Sequence, residues 1–262
     1  MIPILEKRPA KPDDIDNPVR IAFGADCPQA VMERFAKRFG CTCMEGFGMT
    51  EIGIPVHTTL YDRRPGSSGK TLPIYEIELF DDEDKPVPPG VPAEIVFRPK
   101  EPSAMMIEYY NMPEKTLESF RNLWFHTGDL AKRDEDGYLS FVDRKKDALR
   151  RRGENISSFE VERAISAHQK VLESAAVAVK SELAEDEVKI CVVLNPWEEL
   201  SPEELIEYAN QRMPCFAVPR FVEFMDSLPK TPTERVQKYR LKQAGITPST
   251  WDREKEGIKI SR

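Results

Sequence analysis

Three short stretches hold side chains whose types and spacing suit nucleotide and phosphate chemistry. "EGFGMTE" at 45–51 sets Gly46 and Gly48 beside a hydroxyl, Thr50, and a carboxylate, Glu51. Glycines let a backbone approach a ligand closely, and Glu51 offers the hard oxygen donor that Mg²⁺ takes. By itself the stretch is equally an ordinary polar turn. "HTGDL" at 126–130 puts Asp129 at the end of a strand, where a carboxylate can accept two hydrogen bonds from ribose hydroxyls; Thr-Gly-Asp-Leu is also a common turn. "DRKKDALRRRGENI" at 143–156 packs six basic side chains into the nine positions 144–152. Such a cluster is either a solvated loop or a place that handles the phosphates of a small molecule.

Broad nucleic-acid binding is the third possibility, and the composition argues against it. The formal net charge is -7 over 262 residues, whereas nucleic-acid surfaces need many phosphate contacts along one basic face. No stacking aromatics accompany the cluster. "GSSGKT" at 66–71 resembles a phosphate loop, but the pattern needs glycine at position 64, which is Arg64, and no helix follows.

These stretches must be positioned by three kinds of element. "RIAFGAD" (20–26) reads as a strand, followed by a helix with Val31, Met32, Phe35 and Phe39 at helical spacing and Gly40 to stop it. "CTCMEGFGMTE" then runs from a short strand into a glycine-bearing loop. From Thr58 to Asp143 the helical period vanishes: "YEIELFD" and "AEIVFRP" are strands, 124–144 is a hairpin turning at Asp136-Gly137, and "NMPEKTLESF" suits a short helix. After Arg144, Ser157 with Glu160 opens a helix, "SAAVAVK" and "VKICVVL" are strands, and Ser201-Pro202 with Glu204 opens the next helix. "RFVEFM" is a third strand and "TERVQKYRLKQ" a last helix. The fold expected is α/β plus α+β. Residues 1–145 form a partial α/β domain with a β-rich, barrel-like subdomain at 58–143; residues 146–262 form a small mobile α+β domain.

With 40% hydrophobic and 32% charged residues, the chain is expected to fold as a soluble globular protein. No apolar run approaches the roughly 20 residues of a membrane-spanning helix, and the start lacks a signal-peptide core, so a cytoplasmic protein is expected. Five scattered cysteines suit reduced thiols better than a disulfide framework. Cys41 and Cys43 suit alternate strand positions better than a metal site, and the three histidines form no ligand-spaced pair.

Taken in order, Phe47-Gly48-Met49-Thr50-Glu51, Thr127-Gly128-Asp129-Leu130, "GYLSFVDRKKD", "GENISSFEVE" and "LPKTPTERVQKYRL" form a succession that resembles the acyl-adenylate-forming superfamily, from about Arg20 to Leu241. Within it the chain looks like the C-terminal half of an acyl-CoA ligase of the carnitine/crotonobetaine-CoA ligase branch. The resemblance implies ATP, Mg²⁺ and coenzyme A as reactants and cofactors, and a small carboxylic acid as substrate. The acid attacks the α-phosphorus of ATP, giving an acyl-adenylate and pyrophosphate; the CoA thiol then displaces AMP. By the same resemblance, Gly24 and Ala25 lie along adenine and Phe47 stacks on it. Thr50 contacts the α-phosphate, Glu51 binds the metal, and Asp129 and Arg144 hold the ribose. Gly48 and Met49 belong to the same loop, with Met49, Ile52 and Gly53 bordering the acyl pocket. Lys146 is the hinge and Gly153 lines the pantetheine tunnel. Arg150 to Arg152 are left over: either one of them meets a CoA phosphate or all three are simply solvated.

Two departures qualify that expectation. The final family motif carries Gly-Lys, where this chain has Glu234 and Arg235. Arginine keeps the charge in a bulkier planar fork, so Arg235 serves in the lysine's place, Lys238 reaches in, or adenylation is slow. The family's upstream half, with its phosphate loop, has no counterpart in this sequence. The chain is therefore expected to be a partial ligase, weak or inactive alone and completed by an N-terminal half or second subunit. The alternatives are a non-catalytic remnant that binds nucleotide or a partner, and an adenylation domain that loads a carrier protein. An apolar face near residues 20–55 is expected to be exposed and to favour homo-oligomers.

Overall fold

A glycine-stopped amphipathic helix connects two parallel strands early in the chain. The structure is a computed structural model that describes residues 2–6, 8–25, 27, 29–151, 154–180, 186–232 and 234–260. It divides into two compact units, Met1–Val142 and Asp143–Arg262.

In the first unit a short helix α1 (Ile2–Glu6) precedes strand β1 (Ile21–Gly24), helix α2 (Gln29–Phe39) and strand β2 (Thr42–Met49), with β1 and β2 parallel. Helix α2 forms because its apolar positions recur on one face: Met32 and Phe35 are buried, and the Phe35 and Phe39 rings lie 4.5 Å apart. It stops at Gly40, whose φ of +63° suits the left-handed exit of a helix. Strands β3 (Gly53–His57) and β4 (Lys70–Thr71) extend the sheet in antiparallel fashion, giving the order β1-β2-β3-β4.

Here the sequence expectation needs correction. Residues 45–49 are not a loop, for β2 continues through both glycines to Met49. The reason is crowding. A Cβ on Gly48 would stand 2.3 Å from the Gly53 carbonyl oxygen, and one on Gly46 would stand 2.9 Å from that of Val56. The glycines let the β2–β3 hairpin close on itself.

A second sheet follows, built from β5 (Tyr75–Phe80), β6 (Ala93–Pro99), β7 (Phe120–Arg121), β8 (Trp124–Arg133) and β9 (Leu139–Arg144). Helix α3 (Pro113–Ser119) interrupts it, with proline in its first turn. The β8–β9 turn is closed by Asp134 N–H to Tyr138 O at 3.0 Å. The apolar faces of the two sheets meet in one cluster that includes Val56, Ile77, Leu79, Ile95, Phe97, Phe125 and Leu139. On the first sheet, Ile21, Phe23 and Ile54 stay about half exposed (46%, 47% and 50%), so an apolar face near residues 20–55 does reach solvent.

The second unit opens with a hairpin of β10 (Leu149–Arg151) and β11 (Glu154–Ile156), then helix α4 (Ser158–Ser166). Its sheet has the order β12-β13-β14-β15, from Val171–Lys180, Asp186–Leu194, Phe221–Phe224 and Trp251–Asp252. Period-two alternation splits the strands cleanly. Ala176, Ala178, Val188, Ile190 and Val192 pack with Ile165 of α4 and Leu205 and Ile206 of α5 (Pro202–Asn210). Ala175, Val177, Val179, Cys191 and Val193 pack on the other side with Leu241 of α6 (Lys238–Ala244). A sheet covered on both faces reads as continuous apolar runs, as these strands do. Ser201 and Glu204 cap α5 reciprocally.

The last helix is shorter than its sequence pattern suggests. Ahead of it, Lys230 instead bridges Val236, and Thr231 N–H bonds Arg235 O at 2.8 Å. Glu234 takes φ +63°, which no helix allows. Among the described residues, no helix is long and apolar enough to cross a membrane.

Candidate functional site

Two elements of the first unit present the residues singled out in its motifs. The β2–β3 turn carries Thr50, which is exposed, and Glu51, which is half-buried. Tyr75 hydroxyl shares its one proton between Ile52 O at 2.8 Å and Ala104 O at 2.5 Å, tying the turn to the segment beyond β6. Met106 N–H donates to Glu51 O at 2.7 Å, and Tyr109 hydroxyl donates to Glu51 Oε1 at 2.9 Å. Burial, and then the neighbouring Glu51 carboxylate, push the Tyr109 phenol above its usual pKa. One carboxylate with its second oxygen uncommitted to Tyr109 fits the donor set of Mg²⁺, which usually takes one or two carboxylates and completes its shell with water and substrate phosphates.

Asp129 owes its place to a break in the β6–β8 ladder. Glu94 pairs with Leu130 and Val96 with His126, so Ile95 alone faces Thr127, Gly128 and Asp129. The surplus residues bulge out of the sheet, a device that re-aims side chains at sites. Thr127 hydroxyl donates to Ile95 O at 2.8 Å and accepts the Asp129 N–H at 3.0 Å. Gly128 takes φ +73°.

Phe47 has a core role: it is 8% exposed, with ring stacking toward Phe97 at 6.2 Å and Phe141 at 6.5 Å between centroids. Gly24 ends β1, half-buried, and Ala25 beyond it is exposed; Gly48 is exposed and Met49 packs at the edge of the core.

In the second unit a cleft of about 410 Å³ gathers Arg144, Lys146, Arg235, Lys238 and Lys242 against the single carboxylate of Asp147. Its floor is apolar, from Val177 and Val236 among others. That balance favours an anion. Arg144 and Lys146 stand exposed on a turn closed by Asp147 and Ala148 N–H groups donating to Arg144 O, each at 2.9 Å. Behind the turn, buried Asp143 accepts from the Ser158 backbone N–H and from its hydroxyl, the latter at 3.0 Å. Desolvation raises the Asp143 pKa.

Lys238 does not reach into this cleft as a free cation. Its ammonium donates to Ser158 Oγ and pairs with Glu162 Oε1, both at 2.7 Å. Burial raises the Glu162 pKa and Lys238 opposes that rise. Arg235 lies exposed ahead of α6, outside any helix.

The basic run is divided by the fold. Arg151 is turned inward: its side chain is 5% exposed, its Nε lies 2.6 Å from Glu187, and Nη1 donates to Phe216 O at 3.1 Å. Its charge is therefore spent on a buried carboxylate and is not available to a phosphate. Gly153 and Arg152 lie outside the described residues, and the side chain of Arg150 is not described.

Sequence spacing did not point to Tyr75, Tyr109, Asp143 or Glu162, because each acts on a partner far away along the chain. Tyr109 and Glu51 are 58 residues apart. The one usable signal was Asp143 as the residue before the basic run.

A family model described as AMP-binding enzyme matches residues 1–110, and one described as AMP-binding enzyme C-terminal domain matches residues 160–235. A crotonobetaine/carnitine–CoA ligase from Salmonella heidelberg is 35% identical over 246 residues, covering 92% of this chain and 48% of its own length. Among solved structures, the anthranilate CoA ligase AuaEII in complex with anthranoyl-AMP matches with TM-score 0.83 and 28% identity, over 93% of this chain and 48% of that one. A benzoate CoA ligase from Burkholderia xenovorans LB400 matches with TM-score 0.79 and 30% identity, over 92% and 50%. The chain thus spans about half the length of the relatives it matches, and its mixed α/β architecture is that of the corresponding part of adenylate-forming enzymes.

Proposed function

The chain belongs to the AMP-binding enzyme family, and we propose that it works in the ATP-dependent joining of a small carboxylic acid to coenzyme A. In the first half-reaction an acid oxygen attacks the α-phosphorus and pyrophosphate leaves; in the second the CoA sulfur attacks the acyl carbon and AMP leaves. Asp129 accepts hydrogen bonds from ribose hydroxyls, and Thr50 contacts the α-phosphate. Glu51 holds Mg²⁺, which when bound neutralises phosphate charge. Gly24 and Ala25 lie along the base, Gly48 and Met49 stand toward the acyl group, and Phe47 supports them from the core. In the second unit Arg144, Lys146 and Arg235 face the anionic parts of the reactants, with Lys146 as hinge and Gly153 beside the pantetheine arm. Phosphoryl chemistry depends on such positioning and charge stabilisation.

The observation that carries this reading is the bulged Thr127–Asp129 turn, which takes Asp129 out of the β6–β8 pairing within a chain that matches the AMP-binding models. Calorimetry with AMP tests it. Asp129→Ala should weaken AMP on the order of tenfold or more, as expected for hydrogen bonds to a charged group; equal affinities for the two proteins would refute it. The acids to try first in pyrophosphate exchange are carnitine and crotonobetaine, then benzoate and anthranilate.

A second reading, a nucleotide-binding protein without adenylation, is favoured by one feature. The family lysine position holds Arg235, and the nearby Lys238 is engaged by Glu162. Arg235→Lys distinguishes the two: a gain in pyrophosphate exchange with AMP affinity unchanged supports a ligase tuned down at this position, and no exchange in either protein supports the second reading.

A further inference from the structure

The turn that carries Asp129 is held from behind by a carboxylate with no task in the reaction above. Glu94 lies on β6 and is 5% exposed, yet its Oε1 accepts the Gly128 N–H at 3.0 Å. Its Oε2 faces His126 Nδ1 at 3.4 Å and Arg121 Nη2 at 3.9 Å. Arg121 Nη2 also stands 2.9 Å from His126 Nδ1. Burying a carboxylate in a strand is costly unless it is paired and hydrogen-bonded, so the position calls for a reason.

The bulge supplies one. Where three residues of β8 face Ile95 alone, the Gly128 amide falls out of the ladder and needs an acceptor. Within the turn, Thr127 hydroxyl is engaged by Ile95 O and Asp129 N–H. Glu94, 34 residues earlier, reaches across the strand pair to accept it. The residue is thus bonded on one side to the turn and flanked on the other by two basic side chains.

We propose that Glu94 is a positioning residue for nucleotide recognition: by holding the Gly128 amide it fixes the turn that points Asp129 at the ribose hydroxyls. The inference rests on the role given to Asp129 above. What it requires of Glu94 is reach as well as charge. Glu94→Asp keeps the charge but withdraws the carboxylate by one methylene, and Glu94→Gln loses the charge but keeps an acceptor oxygen at the same reach.

The test compares AMP with 2′,3′-dideoxy-AMP by calorimetry in the full chain, for wild type, Asp129→Ala, Glu94→Asp and Glu94→Gln. It also follows the Gly128 amide by ¹⁵N–¹H NMR and hydrogen exchange without nucleotide. Wild type should prefer AMP on the order of tenfold. Glu94→Asp should lose most of that preference with its dideoxy-AMP affinity unchanged and its Gly128 amide exchanging faster, whereas Glu94→Gln should keep most of both. A merely structural role would lower both affinities together. If Glu94→Asp keeps the wild-type preference within about twofold, or if its Gly128 amide is unmoved, the proposal is wrong. If wild type and Asp129→Ala alike show no preference, the role of Asp129 falls and takes this inference with it; the Gly128 exchange rate then still shows whether Glu94 holds the turn.

Discussion

Arg151 is where the fold most directly overrules its sequence neighbourhood, and Arg151→Ala measures by how much. The side chain and its partner Glu187 are 5% and 3% exposed, with Nε and Oε2 2.6 Å apart but off hydrogen-bond geometry, so the attraction is mainly coulombic. Nη1 also serves Phe216 O and Val218 O. Alanine removes the cation and leaves Glu187 buried, a change that typically costs about 3–5 kcal/mol. Arg253, 5% exposed and close enough to interact electrostatically with Glu187, offsets part of that loss, which places the expectation near 3 kcal/mol. With a urea dependence of about 1.5 kcal/mol per molar for a unit of this size, the midpoint should fall by about 2 M. The unfolding of the second unit should be followed by Trp251 fluorescence, because two units need not unfold together. Arg151→Met with Glu187→Leu should return most of the stability, since replacing both charges avoids an uncompensated one. A loss below about 1 kcal/mol in the single variant, or weaker CoA binding with stability unchanged, would refute the assignment and return Arg151 to a ligand.

Three further outcomes follow from the structure. Glu234 occupies φ +63°, a conformation that costs a side-chain-bearing residue about 1–2 kcal/mol; after the extra chain entropy of glycine and the loss of the exposed Lys230 pair, Glu234→Gly should stabilise by about 0.5 kcal/mol in denaturant melts, and a destabilisation would contradict the strained turn. Burial raises the Glu45 pKa from 4.5 to about 7. The folded chain therefore keeps a proton that the unfolded chain releases. The resulting penalty is absent below pH 4.5, grows up to about pH 7 and stays constant above it. Glu45→Gln should accordingly stabilise at pH 8 relative to pH 4.5 by about 1–2 kcal/mol after discounting for solvent screening, and a pH-independent difference in melting would refute this. Lys238→Met should cost about 2 kcal/mol by stripping Glu162 and Ser158 of their shared partner, read as a lower urea midpoint; no change would mean that the ammonium is free.

Much of the scaffold was legible from local pattern. The alternation of 175–179 and 188–193 needs only a pleated strand with two covered faces. The Ser201 cap and the Gly40 stop are chemistry within a few residues of each helix end. The ordered motifs pointed to the AMP-binding family because residue types at fixed spacing survive in sequence. The final helix was misjudged because helical spacing across 233–243 says nothing of the left-handed Glu234 or of the Lys230–Val236 bridge that compete with it.

What only the tertiary structure decided is which charged groups are buried against partners in the fold and which stand exposed. Arg144 and Arg151 belong to one basic run, yet one stands on an exposed turn and the other neutralises a buried carboxylate. Lys238 is engaged by partners 76 and 80 residues away, and Glu94 serves an amide 34 residues away. The sequence by itself determined most of the elements, because backbone hydrogen bonding and apolar periodicity are local. The pairing of buried charges was decided by the packed chain, because desolvation makes each such group depend on whatever partner the other strands and helices bring within hydrogen-bond reach.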